Sequence, residues 1–124
     1  MPTNKSIEEM VFTLLRMARL HPCFPSTPDG IARGILGRGY LVRVPRAAIG
    51  APGALVLDGN HRVIFVAYDV VADELPAVVA HELGELVLRV HALQLTAQER
   101  ERMASDVACA LVDGMPRRRR STRE

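Results

Sequence analysis

Apolar residues along the chain follow two different spacings. Val11, Leu14, Leu15 and Ala18 recur every three or four positions and predict a helix over residues 6–20, opened by a Ser6/Glu9 capping box. His21-Pro22 ends it, and Phe24-Pro25-Ser26-Thr27 reads as a loop. Thr27 caps a second helix with Pro28 at its first position and Ile31, Ile35 and Leu36 on its apolar side; Gly30, Gly34 and Gly37 weaken it. From Gly39 the period shortens. Tyr40–Val44, Ala54–Leu57 and Arg62–Tyr68 read as strands, the last two joined by Asp58-Gly59-Asn60-His61, a hairpin signal. Pro45 to Gly53 reads as a loop. A third helix is predicted from Asp73 to about His91, with Pro76 tolerated in its first turn. Thr96 and Glu99 form another capping box and open a fourth helix, which Gly114 caps and Pro116 stops. The order α, α, β, β, β, α, α predicts an α+β fold: a small, mostly antiparallel three-stranded sheet with flanking helices.

Length and charge sharpen this picture. A protein of 124 residues is the size of one domain, expected here over residues 1–116. The longest charge-free stretch, Ala47 to Leu57, has 11 residues, and a membrane span needs about 20, so no membrane partner is expected. The N-terminus lacks the layout of a signal peptide. Cys23 and Cys109 are the only cysteines, with no CxxC, which excludes a thiolate zinc finger and a disulfide framework and points to a reducing cytoplasm. The net charge of +2 comes from the end of the sequence: residues 117–124 hold five arginines and one acid, leaving 11 basic and 13 acidic groups over 1–116. The body therefore offers no wide basic face to nucleic acid. Residues 117–124 are expected to be a disordered basic tail, either plainly solvated or contacting nucleic acid through Arg117–Arg120.

Candidate chemistry sits in the third helix, in His81-Glu82-Leu83-Gly84-Glu85. His81 and Glu85 are four apart, so they share a face about 6 Å apart along the axis and can grip one metal ion. Glu82 is rotated by about 100° and can act as general base on a water that the metal activates. This is the logic of HExxH with the second histidine replaced by glutamate. The competing reading is a polar stripe of His81, Glu82, Glu85 and Arg89, with Glu85 and Arg89 as an i,i+4 ion pair. His91 is a poor third ligand: Leu88 stands where a helix-breaking glycine would be needed, which places His91 roughly 15 Å along the axis from His81. In the fourth helix Glu101, Ala104, Ser105 and Ala108 share one face, and its small residues allow a neighbouring helix close enough for Glu101 to reach the His81–Glu85 pair. Otherwise Glu101 is one surface acid among Glu99, Arg100 and Arg102.

The stretch Val78-Val79-Ala80-His81-Glu82-Leu83-Gly84, then Glu101-x-x-Ala104-Ser105-x-x-Ala108-x-x-Leu111 and Met115-Pro116, resembles the ImmA/IrrE family of metallopeptidases. The resemblance spans roughly residues 40–116, and the strand Val63–Tyr68 sits where that family places one. It implies a minimal zincin-like core, with His81, Glu85 and Glu101 as metal ligands and Glu82 as catalytic base. It further implies a zinc-dependent endopeptidase whose substrate or partner is a helix-turn-helix repressor, in phage, mobile-element or stress regulation. The sequence departs from the family pattern at Glu85, in place of the second histidine, and at Val107, in place of a phenylalanine. Asp113 and Gly114 also separate the leucine-valine pair from Met115-Pro116. One histidine with two carboxylates is a harder, more anionic donor set, suited to zinc, to manganese or to no metal. The alternative function is therefore an inactive member of the same fold, serving as a protein-binding regulatory module.

Overall fold

A computed structural model describes residues 4–21, 26–91 and 94–113. The described elements are α1 (Asn4–Met17), α2 (Pro28–Leu36), β1 (Leu41–Val44), α3 (Arg46–Ile49), β2 (Gly53–Asp58), β3 (His61–Ala67), α4 (Leu75–His91) and α5 (Ala97–Val112). The fold is α+β, a small sheet flanked by helices. Expectations placed on Pro22, Cys23, Phe24, Pro25, Gly114, Met115, Pro116 and the arginine tail lie outside the described residues.

The sheet corrects the sequence reading, because it is mixed. Its order is β1-β3-β2. The two-residue turn Gly59-Asn60, with Gly59 at φ 58°, forces β2 and β3 antiparallel, from Asp58 opposite His61 to Gly53 opposite Val66. β1 instead joins the other edge of β3 in parallel, from Leu41 opposite Ile64 to Val44 opposite Ala67. Residues 45–52 carry the backbone past that edge. The sequence pattern reads them as loop, but they contain the single helical turn α3, closed by Gly50 at φ 67°. Arg46 of α3 holds Asp69, beyond β3, through a two-pronged ion pair at 2.9 Å on each arm.

The core forms where the buried faces meet. Met10, Val11, Leu14, Leu15 and Ala18 from α1 and its last turn, Ile31 from α2, and Ile64 and Val66 from β3 are buried, and Leu55 of β2 lies directly across from Ile64. α1 begins at Asn4, so the Ser6/Glu9 pair does not mark its start. It ends at Met17 because Arg19 turns to φ 60° and Leu20 N–H reaches back to the Leu15 carbonyl at 2.8 Å. α4 begins at Leu75, two residues later than expected, with Asp73 left in the preceding turn.

α4 is the central helix, touching α1, α2, α5 and the sheet. This explains why Val79, Ala80, Leu83, Leu86, Val87 and Leu88 are all buried around it. Its closest approach is to α5. A Cβ built on Gly84 would lie 2.6 Å from the Ala104 carbonyl oxygen. Overpacking at such a contact costs about 1–3 kcal/mol, against the ~1 kcal/mol that alanine gains in helix propensity over glycine. Gly84→Ala is therefore expected to lower the urea midpoint rather than raise it, and Gly84→Val to lower it further at an unchanged urea slope.

Candidate metal centre

Two features of local sequence set the geometry of the site. The first is the register of α4, which turns His81 and Glu85 onto the one face not packed into the core; both are partly exposed. The second is the start of α5. Thr96 Oγ1 accepts from Glu99 N–H at 3.0 Å and Glu99 Oε1 accepts from Thr96 N–H at 2.9 Å, the capping box read from the sequence. That start fixes the phase of α5, so Ala104 and Ala108 are buried, with Ala104 against Gly84 and Glu101 on the same face one turn earlier.

The three expected ligands converge. His81 Nε2 lies 3.4 Å from Glu101 Oε2 and 3.9 Å from Glu85 Oε2. One ligand atom from each residue falls within 4.8 Å of the others. Tetrahedral ligands at zinc distances of 2.0–2.2 Å sit about 3.4 Å apart, so the His81–Glu101 spacing already fits and the carboxylate of Glu85 needs to close by a fraction of an ångström toward His81. The donor set of one imidazole and two carboxylates fits a divalent cation of borderline or hard character. Among the described residues this is the one cluster of three or more potential ligands. Its Glu101 side chain is 67% exposed and forms the rim of the site.

Glu82 faces the same cleft from a different depth. It is 7% exposed and makes no hydrogen bond to another described residue. Burial pushes its carboxyl above the usual range; His81 and Arg89 pull it down, while Glu85 and Glu101 add to the upward push. Its approach to the cleft wall depends on Gly53 at the start of β2, where an added Cβ would lie 3.3 Å from Glu82 Oε2 and 2.6 Å from Val78 Cγ1. The cleft has a volume of about 510 Å³, with Ala51, Pro52 and Gly53 as one wall and α4 from Ala77 to Arg89 as the other.

His91 stays out of the site, as its spacing indicates. α4 runs unbroken through Leu88, and His91 Nε2 lies 3.3 Å from Thr13 Oγ1 on α1. The Glu85–Arg89 ion pair of the competing sequence reading is not formed. Glu85 turns toward His81, and Arg89 makes no ion pair with a described residue. Sequence reasoning missed the role of the Ala51-Pro52-Gly53 wall. The signal for it was the run of small, uncharged residues between two strands. No helix among the described residues is long and apolar enough to cross a membrane. In comparisons with known proteins, no family model, no curated protein and no solved structure matches this sequence.

The buried carboxyl predicts a pH dependence. Glu82 holds its proton more tightly in the folded protein than in the unfolded one, so its ionisation destabilises the fold as pH rises through the raised folded value. In chelator-treated protein, Glu82→Gln is expected to increase stability at neutral pH. The gain should shrink on acidification and vanish below the ordinary carboxylate range, as read by urea denaturation from about pH 4 to 8.

Proposed function

We propose that the protein is a small ImmA/IrrE-like metallopeptidase-type protein whose metal is held by His81, Glu85 and Glu101. The observation that carries this reading is the convergence of those three residues from α4 and α5 beside the buried carboxyl of Glu82. When bound, a divalent cation supplies Lewis acidity toward a peptide carbonyl and acidifies water. Zinc is the first candidate and manganese the second, because two carboxylates make the site harder than a two-histidine one.

The protein's own residues supply the remaining steps. Glu82 accepts a proton from the attacking water at a carboxylate oxygen and returns it to the departing amine nitrogen. Its upward-shifted carboxyl suits both halves of that exchange, since it holds a proton more firmly than a solvated glutamate. The Ala51–Gly53 wall confines the substrate against α4 and limits water around the reacting bond. The motif resemblance makes a helix-turn-helix repressor the proposed substrate, in the cytoplasm and in phage, mobile-element or stress regulation. An exposed free thiol at Cys109 is compatible with a reducing compartment. A second reading is favoured by Glu85 itself: with a carboxylate in place of the second histidine, the same scaffold serves as a non-catalytic binding module for such a regulator.

Calorimetric titration with zinc and manganese separates these readings. The parent is expected to bind one equivalent, and Glu101→Gln to weaken binding at least roughly tenfold, about 1.4 kcal/mol. Glu85→His is expected to raise zinc affinity by creating a two-histidine, one-carboxylate set. No formed Glu85–Arg89 pair is lost in making it. In that background Glu82→Gln should retain zinc and abolish cleavage of a repressor substrate. Failure of both the parent and Glu85→His to bind either metal would leave the binding-module reading.

A further inference from the structure

Arg89 is the one arginine or lysine on the lining of the cleft, and the metal-peptidase reading gives it no task. It lies one turn beyond Glu85 on the same face of α4, and no described carboxylate pairs with it. Glu85 stands four residues before exposed Arg89 and could pair with it, yet its Oε2 lies 3.9 Å from His81 Nε2 instead. The cleft is consequently graded along α4. Ala77 and Val78 make an apolar end, His81, Glu82 and Glu85 a ligand-rich middle, and Arg89 a cationic end.

We propose that Arg89 is a carboxylate-binding subsite, so that the polypeptide entering this cleft is one carrying a carboxylate near the bond held over the middle. This rests on the reading of the cleft as a peptide site. A guanidinium offers a planar fork that a carboxylate fills with two parallel hydrogen bonds. The Arg89 Cα lies about 9 Å along the helix beyond the midpoint of His81 and Glu85. An extended peptide advances about 3.3 Å per residue, which sets the carboxylate two to three residues from that bond. An aspartate or glutamate side group and the free C-terminus of a peptide both supply it.

The test is affinity selection on the full-length protein in zinc-containing buffer, read by mass spectrometry. The probes are synthetic acetylated octapeptide pools of small and apolar residues. One set is amidated with a single glutamate placed at each position in turn. A second carries glutamine in its place, a third carries glutamine with a free C-terminal carboxylate, and a fourth carries lysine. The parent is expected to retain one of the two carboxylate sets about tenfold over the amidated glutamine set, and which set wins identifies the source of the carboxylate. Arg89→Gln should erase that preference, Arg89→Lys should restore part of it, and Arg89→Glu should shift retention to the lysine set. No carboxylate preference in the parent, or an undiminished one in Arg89→Gln, overturns the proposal. Zinc calorimetry on chelator-treated, zinc-free aliquots of the same preparations tests the underlying reading separately. A parent that binds no zinc removes the metal site, while peptide retention still decides whether Arg89 takes a carboxylate.

Discussion

The contact between Gly84 and Ala104 is the constraint on which the site depends. His81 sits three residues before Gly84 and Glu101 three residues before Ala104, so each is carried on the face that makes the contact. An α4–α5 spacing widened by one methyl group would move Glu101 out of the 3.4 Å it now keeps from His81 Nε2. The glycine weakens α4 intrinsically, by about 1 kcal/mol relative to alanine. That weakness is tolerated because α4 is buried almost all round and draws its stability from packing rather than propensity.

The same packing creates an electrostatic problem that the rest of the fold does not solve. Glu82, Glu85 and Glu101 are gathered about one imidazole, and Glu82 is largely buried, with its carboxyl on the cleft lining and no hydrogen bond to another described residue. A helix selected only for packing would carry an apolar residue at position 82, since a largely buried carboxyl is costly even where its oxygens reach a cleft. Local and global preferences agree along nearly all of α4 and disagree at this one place. Such conflicts concentrate where a protein does its work. A cation at the centre of the cluster would compensate the gathered charge, and this supports the proposed metal reading.

Much of the fold and most of the site were legible in the sequence, for identifiable reasons. The Thr96/Glu99 box and the Thr27-Pro28 start carry their own chemistry, so α5 and α2 begin where expected. The Gly59-Asn60 turn specifies its hairpin in the same way. The parallel seating of β1 was not legible, because an alternating pattern records which face is buried and is silent on the direction of a neighbour. The late start of α4 lacked a strong cap to mark it. At the site, the i,i+4 spacing gave the His81–Glu85 pair and the small-residue face gave Glu101 its approach. What spacing alone left open was the choice between Glu85 pairing with Arg89 and Glu85 facing His81. Both partners stand at four residues' distance, and tertiary packing decides between them.

That choice makes Glu85 act in two ways. In the proposed metal centre it is a harder donor than histidine, and as a charge it adds to the burial that raises the Glu82 carboxyl. A histidine at position 85 would remove both effects, so the departure from HExxH alters the base as well as the ligand set. In the metal-free cluster, burial first and the neighbouring carboxylates after it raise the Glu82 carboxyl above its usual range, against the pull of His81 and Arg89. A divalent cation reverses the sign of the field that Glu82 experiences and favours release of that proton. In the proposed metal centre, metal uptake and proton release would be linked at Glu82, because a cation and a proton compete for the same negative charge.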